Sequence, residues 1–182
     1  MVGYMQQEII TERLKLRKAA THEQTKTNIV NQVICDRCFE KESNPVDNKQ
    51  NTVEKLISEI DNTFELFGIY DKSECYCGYL ELNKRNNKYE LGIELYTEYR
   101  GNGIGTESVK AICGYLNNEY NLTEIWLRIR EVNTASINMF EKLGAEYIKT
   151  IPLVDGIETL IPENMIREFM VRLYIMKIPL SR

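Results

Sequence analysis

The sequence predicts a mixed α/β fold, in which one central sheet of about seven strands packs against helices. Two observations support this fold class. Segments whose apolar residues alternate at the strand period are interleaved with segments at the helix period along the 182 residues. Strand-like segments also follow one another directly, both early and late in the chain, and such runs favour a mixed sheet over a purely parallel one.

The first half of the chain carries two helical segments between strand-like ones. Leucines alternate with basic residues over Ile9–Arg17, which predicts a strand with one face in water. Helix spacing marks Thr21–Val33 and Thr52–Ile60, and a polar, loop-like segment over Asp36–Asn51 separates them. Three strands are predicted next, at Phe64–Tyr70, Cys75–Leu82 and Tyr89–Tyr96.

The second half alternates helix and strand before it ends in two strands. The apolar face of the first helix is formed by residues at helix spacing, namely Val109, Ile112, Cys113 and Leu116. A later helix is predicted over Thr134–Leu143, with Asn133 as its N-cap and Gly144 at its end. The strands around these helices are predicted at Glu124–Arg130, Ala145–Ile151 and Arg167–Ile178.

A glycine-rich loop, Tyr-Arg-Gly-Asn-Gly-Ile-Gly-Thr at residues 99–106, joins the strand Tyr89–Tyr96 to the following helix. Helix N-termini expose unpaired N–H groups, and glycines let an anion approach that backbone closely, so the loop is a candidate diphosphate site. Its spacing is neither the Walker pattern nor Gly-x-Gly-x-x-Gly, which argues against a nucleoside triphosphate or NAD. A tight turn that binds nothing is the alternative.

Three motifs resemble the GCN5-related N-acetyltransferase (GNAT) superfamily. The superfamily's acetyl-coenzyme A loop, Gln/Arg-x-x-Gly-x-Gly/Ala, is matched by Arg100, Gly103 and Gly105. Asn133–Ala145 is similar to its Asn-x-x-Ser/Ala helix that ends in Glu-Lys-Leu-Gly-Phe, and Thr11–Arg17 is similar to the first strand of the subfamily of ribosomal-protein N-terminal and spermidine acetyltransferases. The resemblance implies a GNAT fold, with helices on both faces of the sheet, as one domain over residues 1–182.

The resemblance implies transfer of an acetyl group from acetyl-CoA to a primary amine through a ternary complex. An amine of the lysine type has a pKa of about 10.4, so a base or a water chain must remove its proton. Glu94, near the end of the strand before the loop, is the first candidate for this base, and Glu81 on the preceding strand is the second. A glutamate that is simply solvated on the polar strand face is the alternative reading.

The proton donor to the departing thiolate is less defined. The superfamily often uses a tyrosine on the late helix, and Phe140 stands at the matching position. Ser136 lies one turn earlier on the same helical face, so its hydroxyl is the candidate acid, although it could instead cap the helix or bond to CoA. Because a thiolate with a pKa near 8.5 leaves readily, a reaction without a dedicated acid is a further alternative.

The resemblance also implies which residues bind the donor. The backbone of Leu95 is expected to pair with pantetheine, and Phe140 to line the pantetheine arm. Asn133 is expected to bond to CoA as well as to cap its helix. The diphosphate is expected to be held by the loop residues Arg100, Gly101, Asn102, Gly103, Ile104, Gly105 and Thr106. Acetyl-CoA is the expected cosubstrate, and no metal is expected.

Composition narrows the partners. The formal net charge of −4 argues against general nucleic-acid binding and mildly favours cationic amines. The sequence has neither an apolar stretch long enough to span a membrane nor a signal peptide, so a cytoplasmic protein without a membrane partner is expected. A homodimer is an open alternative to a monomer.

The five cysteines allow a zinc hypothesis. Four thiolates could come from the pairs Cys35-x-x-Cys38 and Cys75-x-Cys77, which would make a small interaction module. The Cys-x-Cys spacing departs from the usual pairs, so reduced cysteines without metal are the preferred interpretation.

Two functional hypotheses therefore compete. The first is an N-acetyltransferase whose acceptor is a protein N-terminus, a polyamine or an aminated small molecule, with Thr11–Arg17 tilting the choice towards the ribosomal-protein type. The second is a non-catalytic acetyl-CoA sensor, motivated by Phe140 at the position of the usual proton donor.

Overall fold

A computed structural model of the chain describes residues 8–40, 58, 65–85, 87–153 and 162–179. Its strands are β1 (Glu8–Ile10), β2 (Leu14–Lys18), β3 (Glu65–Asp71), β4 (Tyr76–Arg85), β5 (Lys88–Leu95), β6 (Glu124–Arg130), β7 (Ala145–Pro152) and β8 (Met170–Lys177). Its α-helices are α1 (Glu23–Glu40), α2 (Ile104–Tyr120) and α3 (Thr134–Lys142). Short 3₁₀ helices cover Ala19–Thr21, Thr97–Tyr99 and Glu163–Phe169.

The strands belong to one sheet in the order β1-β2-β3-β4-β5-β6-β8-β7. Strand β5 runs parallel to β6, with Glu90 opposite Trp126. The pairs β1–β2, β2–β3, β3–β4, β6–β8 and β7–β8 are antiparallel. The prediction of a mixed sheet is therefore confirmed, although the described residues contain eight strands where about seven were predicted.

The extra strand arises because Ile9–Arg17 is two strands and not one. The Thr11 N–H donates to the Leu14 carbonyl at 2.9 Å, and the Thr11 hydroxyl accepts the Leu14 N–H at 2.9 Å. These bonds close a tight turn, which folds β1 back on β2 with Glu8 opposite Arg17. The Thr11 hydroxyl bonds to a residue only three positions away. The alternation of apolar residues by itself does not predict a turn that a side chain forms in this way.

Several predicted boundaries also shift. Helix α1 begins at Glu23 after a 3₁₀ turn over Ala19–Thr21, and it continues to Glu40, so the first part of the predicted loop Asp36–Asn51 is helical. No glycine or proline interrupts residues 34–40, and the helix can therefore extend past Val33. The predicted helix Thr52–Ile60 lies outside the described residues apart from Ser58, which has a helical backbone.

The last strand also begins later than predicted. Residues Glu163–Phe169 form a 3₁₀ helix, and β8 starts only at Met170. The predicted apolar side of α2 is confirmed, because Val109, Ile112, Cys113 and Leu116 are each at most 4% exposed.

The chain divides into two compact units. The first runs through Met1–Asn83 and Ile93–Ala111, and the second through Lys84–Gly92 and Ile112–Arg182. Fully buried side chains of the first unit include Leu14, Leu16, Phe67, Ile69, Leu80 and Leu82. Those of the second include Ile112, Leu116, Ile125, Leu127 and Tyr174. The prediction of a single domain over residues 1–182 stays a prediction.

Among the described helices, none is both long enough and apolar enough to cross a membrane.

Candidate active site

The glycine loop has the backbone that an anion cradle needs. Gly101 and Gly103 have φ angles of +76° and +79°, in the left-handed region that only glycine enters without strain. The N–H of Glu107 donates to the Gly103 carbonyl at 3.0 Å, so α2 begins directly after Gly103. The N–H groups in the first turn of a helix have no acceptor within that helix. Those of Ile104, Gly105 and Thr106 therefore form a site of positive potential at the loop.

The side chain of Arg100 folds back onto the end of β5. Its Nε donates to the Leu95 carbonyl at 2.8 Å, and its Nη2 lies 2.6 Å from Oε1 of Glu94. The structure thus brings together three residues to which the sequence assigned separate roles in donor binding and proton transfer. Both side chains of the ion pair remain well exposed, at 57% for Arg100 and 43% for Glu94.

At the end of β5, the backbone of Leu95 points to the edge away from β4. The N–H of Tyr96 donates to the Cys77 carbonyl of β4 at 3.0 Å, so the β4 ladder extends past Leu95. Backbone groups of successive strand residues point to opposite edges, and those of Leu95 therefore point away from β4. The backbone of Leu95 is expected to pair with pantetheine, and its carbonyl accepts a hydrogen bond from Arg100 in the structure.

Gly78 allows β4 to lie this close to β5. A Cβ atom at Gly78 would stand 2.1 Å from the Glu94 carbonyl oxygen, and the residue has a φ of +150°. Any side chain at this position would push the backbone of Glu94 away. The glycine therefore holds in place the strand end that carries the candidate base.

An aromatic cluster that the sequence analysis missed lies on the same face as Glu94. Residues two apart on a strand share a face, so Glu94 and Tyr96 project to the same side of the sheet. The Tyr96 ring packs edge-on against Tyr76 with centroids 5.8 Å apart, and the Tyr76 hydroxyl donates to Gln32 of α1 at 2.9 Å. Glu94 therefore faces the α1 side of the sheet. Glu81, the second candidate base, is a half-buried residue opposite Leu66.

A second missed feature ties the β1–β2 turn to the loop. The Arg13 Nε lies 2.6 Å from Oε2 of Glu107, and the Arg13 N–H and Thr11 hydroxyl both donate to Oε1. Burial by itself would raise the pKa of Glu107, but these hydrogen bonds and the charge of Arg13 lower it overall. Arg13 lies within the quoted motif Thr11–Arg17 and Glu107 directly follows the quoted glycine loop, but nothing in the sequence links positions 94 residues apart.

The remaining candidates lie on α3, in the second unit. The Asn133 side chain accepts the Ser136 N–H at 3.1 Å, so the predicted N-cap is confirmed. Phe140 is only 3% exposed, whereas Ser136 is half-buried and shares its helical face. The Tyr174 hydroxyl donates to Glu141 at 2.9 Å. The Tyr174 phenol thus contacts the residue that follows Phe140 in the chain. It is fully buried, and its hydroxyl already donates to Glu141.

The cysteines of the described residues behave as separate thiols. Cys77 and Cys113 are buried, and burial raises the pKa of Cys77 to about 11 and that of Cys113 to about 12. Cys35 and Cys75 are exposed, and the side chain of Cys38 lies outside the described residues. Within the part of the chain that the structure describes, no three histidine, cysteine or acidic residues group to hold a metal ion.

Comparison with solved structures establishes the fold. An acetyltransferase (GNAT family) from Bacillus anthracis superposes with a TM-score of 0.66 at 18% identity, covering 93% of this chain and 98% of that one. A spermidine N-acetyltransferase from Vibrio cholerae, in complex with CoA and spermine, gives 0.67 at 18% identity, covering 92% and 97%. A ribosomal-protein-S5-alanine acetyltransferase from Vibrio fischeri gives 0.66 at 16% identity, covering 94% and 96%.

Comparison of sequences gives shorter matches and the family. N-alpha-acetyltransferases from Sulfurisphaera tokodaii and Saccharolobus solfataricus are 33% and 34% identical over 61 residues, or 34% of this chain. The match spans only 36% of the length of each of these relatives. The profile of the acetyltransferase (GNAT) domain family matches residues 13–146, which is most of the chain. The chain therefore belongs to the acetyltransferase (GNAT) domain family.

Proposed function

We propose that the protein is an acetyl-CoA-dependent N-acetyltransferase, which acetylates a primary amine within a ternary complex. The observation that carries this proposal is the glycine loop, whose two left-handed glycines open onto the unpaired N–H groups of α2 in a chain of the GNAT family. Two of the solved structures that share this fold are named as amine acetyltransferases, one of spermidine and one of a ribosomal-protein alanine.

Donor binding follows from the loop and the end of β5, which both lie in the first unit. The diphosphate binds the N–H groups of Ile104, Gly105 and Thr106, with Arg100 as a charged anchor. The pantetheine arm pairs with the backbone of Leu95, and Arg100 releases the Leu95 carbonyl for this purpose. The roles of Asn133 and Phe140 in donor binding stay predictions from the family resemblance.

Acetyl transfer then needs a neutral amine. Glu94 accepts the amine proton, directly or through water, and the amine attacks the thioester carbonyl. The tetrahedral intermediate expels the CoA thiolate, which takes a proton from Ser136 or from solvent. The Arg100 guanidinium, which contacts Glu94 in the structure, moves away from this carboxylate when the donor binds.

Three classes of amine remain candidates for the acceptor. A protein N-terminus is supported by the partial match to N-alpha-acetyltransferases, and a polyamine by the fold shared with spermidine acetyltransferases. The net charge of −4 suits any cationic acceptor, aminated small molecules included. The cytoplasmic location and the homodimer stay predictions.

One assay tests the proposal. The purified protein is incubated with acetyl-CoA and a panel of N-terminal peptides, polyamines and aminated small molecules, and release of the CoA thiol is followed. We expect thiol release that depends on one class of acceptor and an acetylated product found by mass spectrometry. Tight binding of acetyl-CoA without turnover on any acceptor would favour the sensor hypothesis. Absence of binding in calorimetry would remove both.

A further inference from the structure

We propose that Arg13 is a positioning residue for the donor diphosphate, which acts by holding the glycine loop in its anion-binding conformation. Arg13 lies in the turn between β1 and β2, far from the loop in sequence, and no step of the acetyl transfer described above uses it. The inference rests on the proposed function, because it needs a diphosphate-bearing donor at the loop.

Arg13 contacts the loop backbone directly. Its Nη1 donates to the Asn102 carbonyl at 3.0 Å, between the two left-handed glycines. Its Nη2 lies 3.2 Å from the point where a Cβ of Gly103 would stand. The guanidinium therefore lies along the backbone that leads into the first turn of α2, and it limits the conformations available there.

Glu107 holds Arg13 in that position. Its carboxylate accepts hydrogen bonds from the Arg13 Nε, the Arg13 backbone N–H and the Thr11 hydroxyl. The Glu107 side chain is only 19% exposed, whereas the Arg13 side chain is 51% exposed. A guanidinium fixed through Nε and Nη1 loses little further freedom when the ligand binds, and this lowers the entropy cost of ordering the loop.

Arg13 also compensates the negative charge of Glu107 at the start of α2. Glu107 places a carboxylate in the fourth position of the helix, next to the N–H groups that would receive the diphosphate. Left without a counter-charge, this carboxylate would repel the phosphates and compete for the same positive helix end. Arg13 supplies that counter-charge, and the three donors keep the carboxylate bound on the side of the β1–β2 turn.

The first test compares donors with and without a diphosphate. We expect Arg13→Ala to raise the Kd for CoA about 10-fold and the KM for acetyl-CoA similarly, because charge-assisted bonds of this kind contribute that much. The kcat at saturating acetyl-CoA should stay within about twofold. With S-acetylpantetheine, which lacks the diphosphate, kcat/KM should be unchanged. An equal loss with both donors would overturn the inference, since it would indicate a general structural role.

The second test asks whether Glu107 acts through Arg13. In the double variant Arg13→Ala/Glu107→Gln the uncompensated carboxylate is gone, so we expect CoA binding about threefold tighter than in Arg13→Ala alone. Arg13→Lys keeps the charge but can reach only one of its partners, so its Kd should lie between those of wild type and Arg13→Ala. A double variant that binds no better than Arg13→Ala would contradict the charge-compensation step.

Arg17→Ala is the matched control. Arg17 is also on the first unit, where it bridges Glu8 and Glu74, but it does not contact the loop. Its removal should leave the Kd for CoA unchanged while lowering the unfolding midpoint about as much as Arg13→Ala does. Wild-type protein that binds CoA, together with an Arg13→Ala variant that binds it equally well, would overturn this inference alone. Wild-type protein without CoA binding would overturn the proposed function as well.

Discussion

The guanidinium of Arg100 engages the two groups of β5 that the proposed reaction needs, the Leu95 carbonyl and the Glu94 carboxylate. Because both charged side chains are about half exposed, their ion pair contributes only about 0–1 kcal/mol. A bound diphosphate can therefore draw Arg100 towards the loop at little cost. Donor binding would then release the Leu95 carbonyl for pantetheine and remove Arg100 from the Glu94 carboxylate.

Replacement of Glu94 by glutamine tests the base directly. The amide can still accept a hydrogen bond from Arg100 but cannot take a proton, so kcat should fall about 10²- to 10⁴-fold with little change in the KM for acetyl-CoA. Glu81→Gln, on the neighbouring strand, is the control and should retain kcat within a few-fold. The opposite ranking of the two variants would assign the base to Glu81.

The two left-handed glycines of the loop differ in what surrounds them, which allows a matched comparison. A Cβ at Gly101 meets nothing within 4 Å, whereas one at Gly103 would stand 3.2 Å from Arg13. Both alanine variants should lose about 1 kcal/mol of unfolding free energy in urea titrations, because both force alanine into the left-handed region. Gly103→Ala should weaken CoA binding more than Gly101→Ala does, because its methyl group also displaces Arg13. Equal Kd values for the two variants would contradict this expectation.

Asn133 caps helix α3 in the structure and is also predicted to bind CoA. Two substitutions distinguish these roles. Asn133→Ala should lower the free energy of unfolding by about 1 kcal/mol, because the Ser136 N–H loses its acceptor. Asn133→Ser should keep most of that stability, since serine caps helices well. If the Asn133 amide also binds CoA, both variants should raise the Kd for CoA. A serine variant with wild-type affinity would leave only the capping role.

Helix α2 contains a glycine that its structure does not require. A Cβ at Gly114 meets nothing within 4 Å, so Gly114→Ala should raise the free energy of unfolding by about 0.5–1 kcal/mol. Gly144 is the contrast, because its φ of +90° at the end of α3 makes the same substitution destabilising. Urea midpoints of the two variants should therefore move in opposite directions, and a shift in the same direction would contradict the assignment.

At the scale of the whole molecule, the bonds to Glu107 should make stability depend on pH in the acid range. The folded protein lowers the pKa of this carboxyl below its ordinary value of 4.5, so its stabilising effect is complete above that pH. The effect is lost as the pH falls through the lower, folded value. Glu107→Gln should therefore be less stable than wild type at pH 7, and the difference should shrink as the pH falls below 4.5.

Urea titrations of both proteins at these pH values measure the difference. Glu119→Gln changes an exposed residue of the same helix and should show no such convergence. A Glu107→Gln variant that follows wild type in parallel at every pH would mean that the carboxyl does not stabilise the fold through its charge.

The sequence alone determined the fold class, most of the elements and the local machinery of the loop. Periodicity predicted the apolar side of α2, and the glycine pattern predicted the turn into that helix. The residue type of Asn133 predicted the N-cap of α3. Each of these effects acts within a few residues. Boundaries were less accurate. The Thr11 hydroxyl cut one predicted strand in two, and α1 continued where no glycine or proline stopped it.

Tertiary structure alone decided which distant side chains meet. Arg13 reaches Glu107 across 94 residues, and Tyr76 reaches Gln32 across 44. Nothing in the local pattern of either pair indicates its partner. The strand order brings the β1–β2 turn to the start of α2, and only then can one arginine neutralise a carboxylate there and hold the loop. Short-range geometry is encoded residue by residue, whereas the electrostatics of the loop depend on how the whole chain is folded.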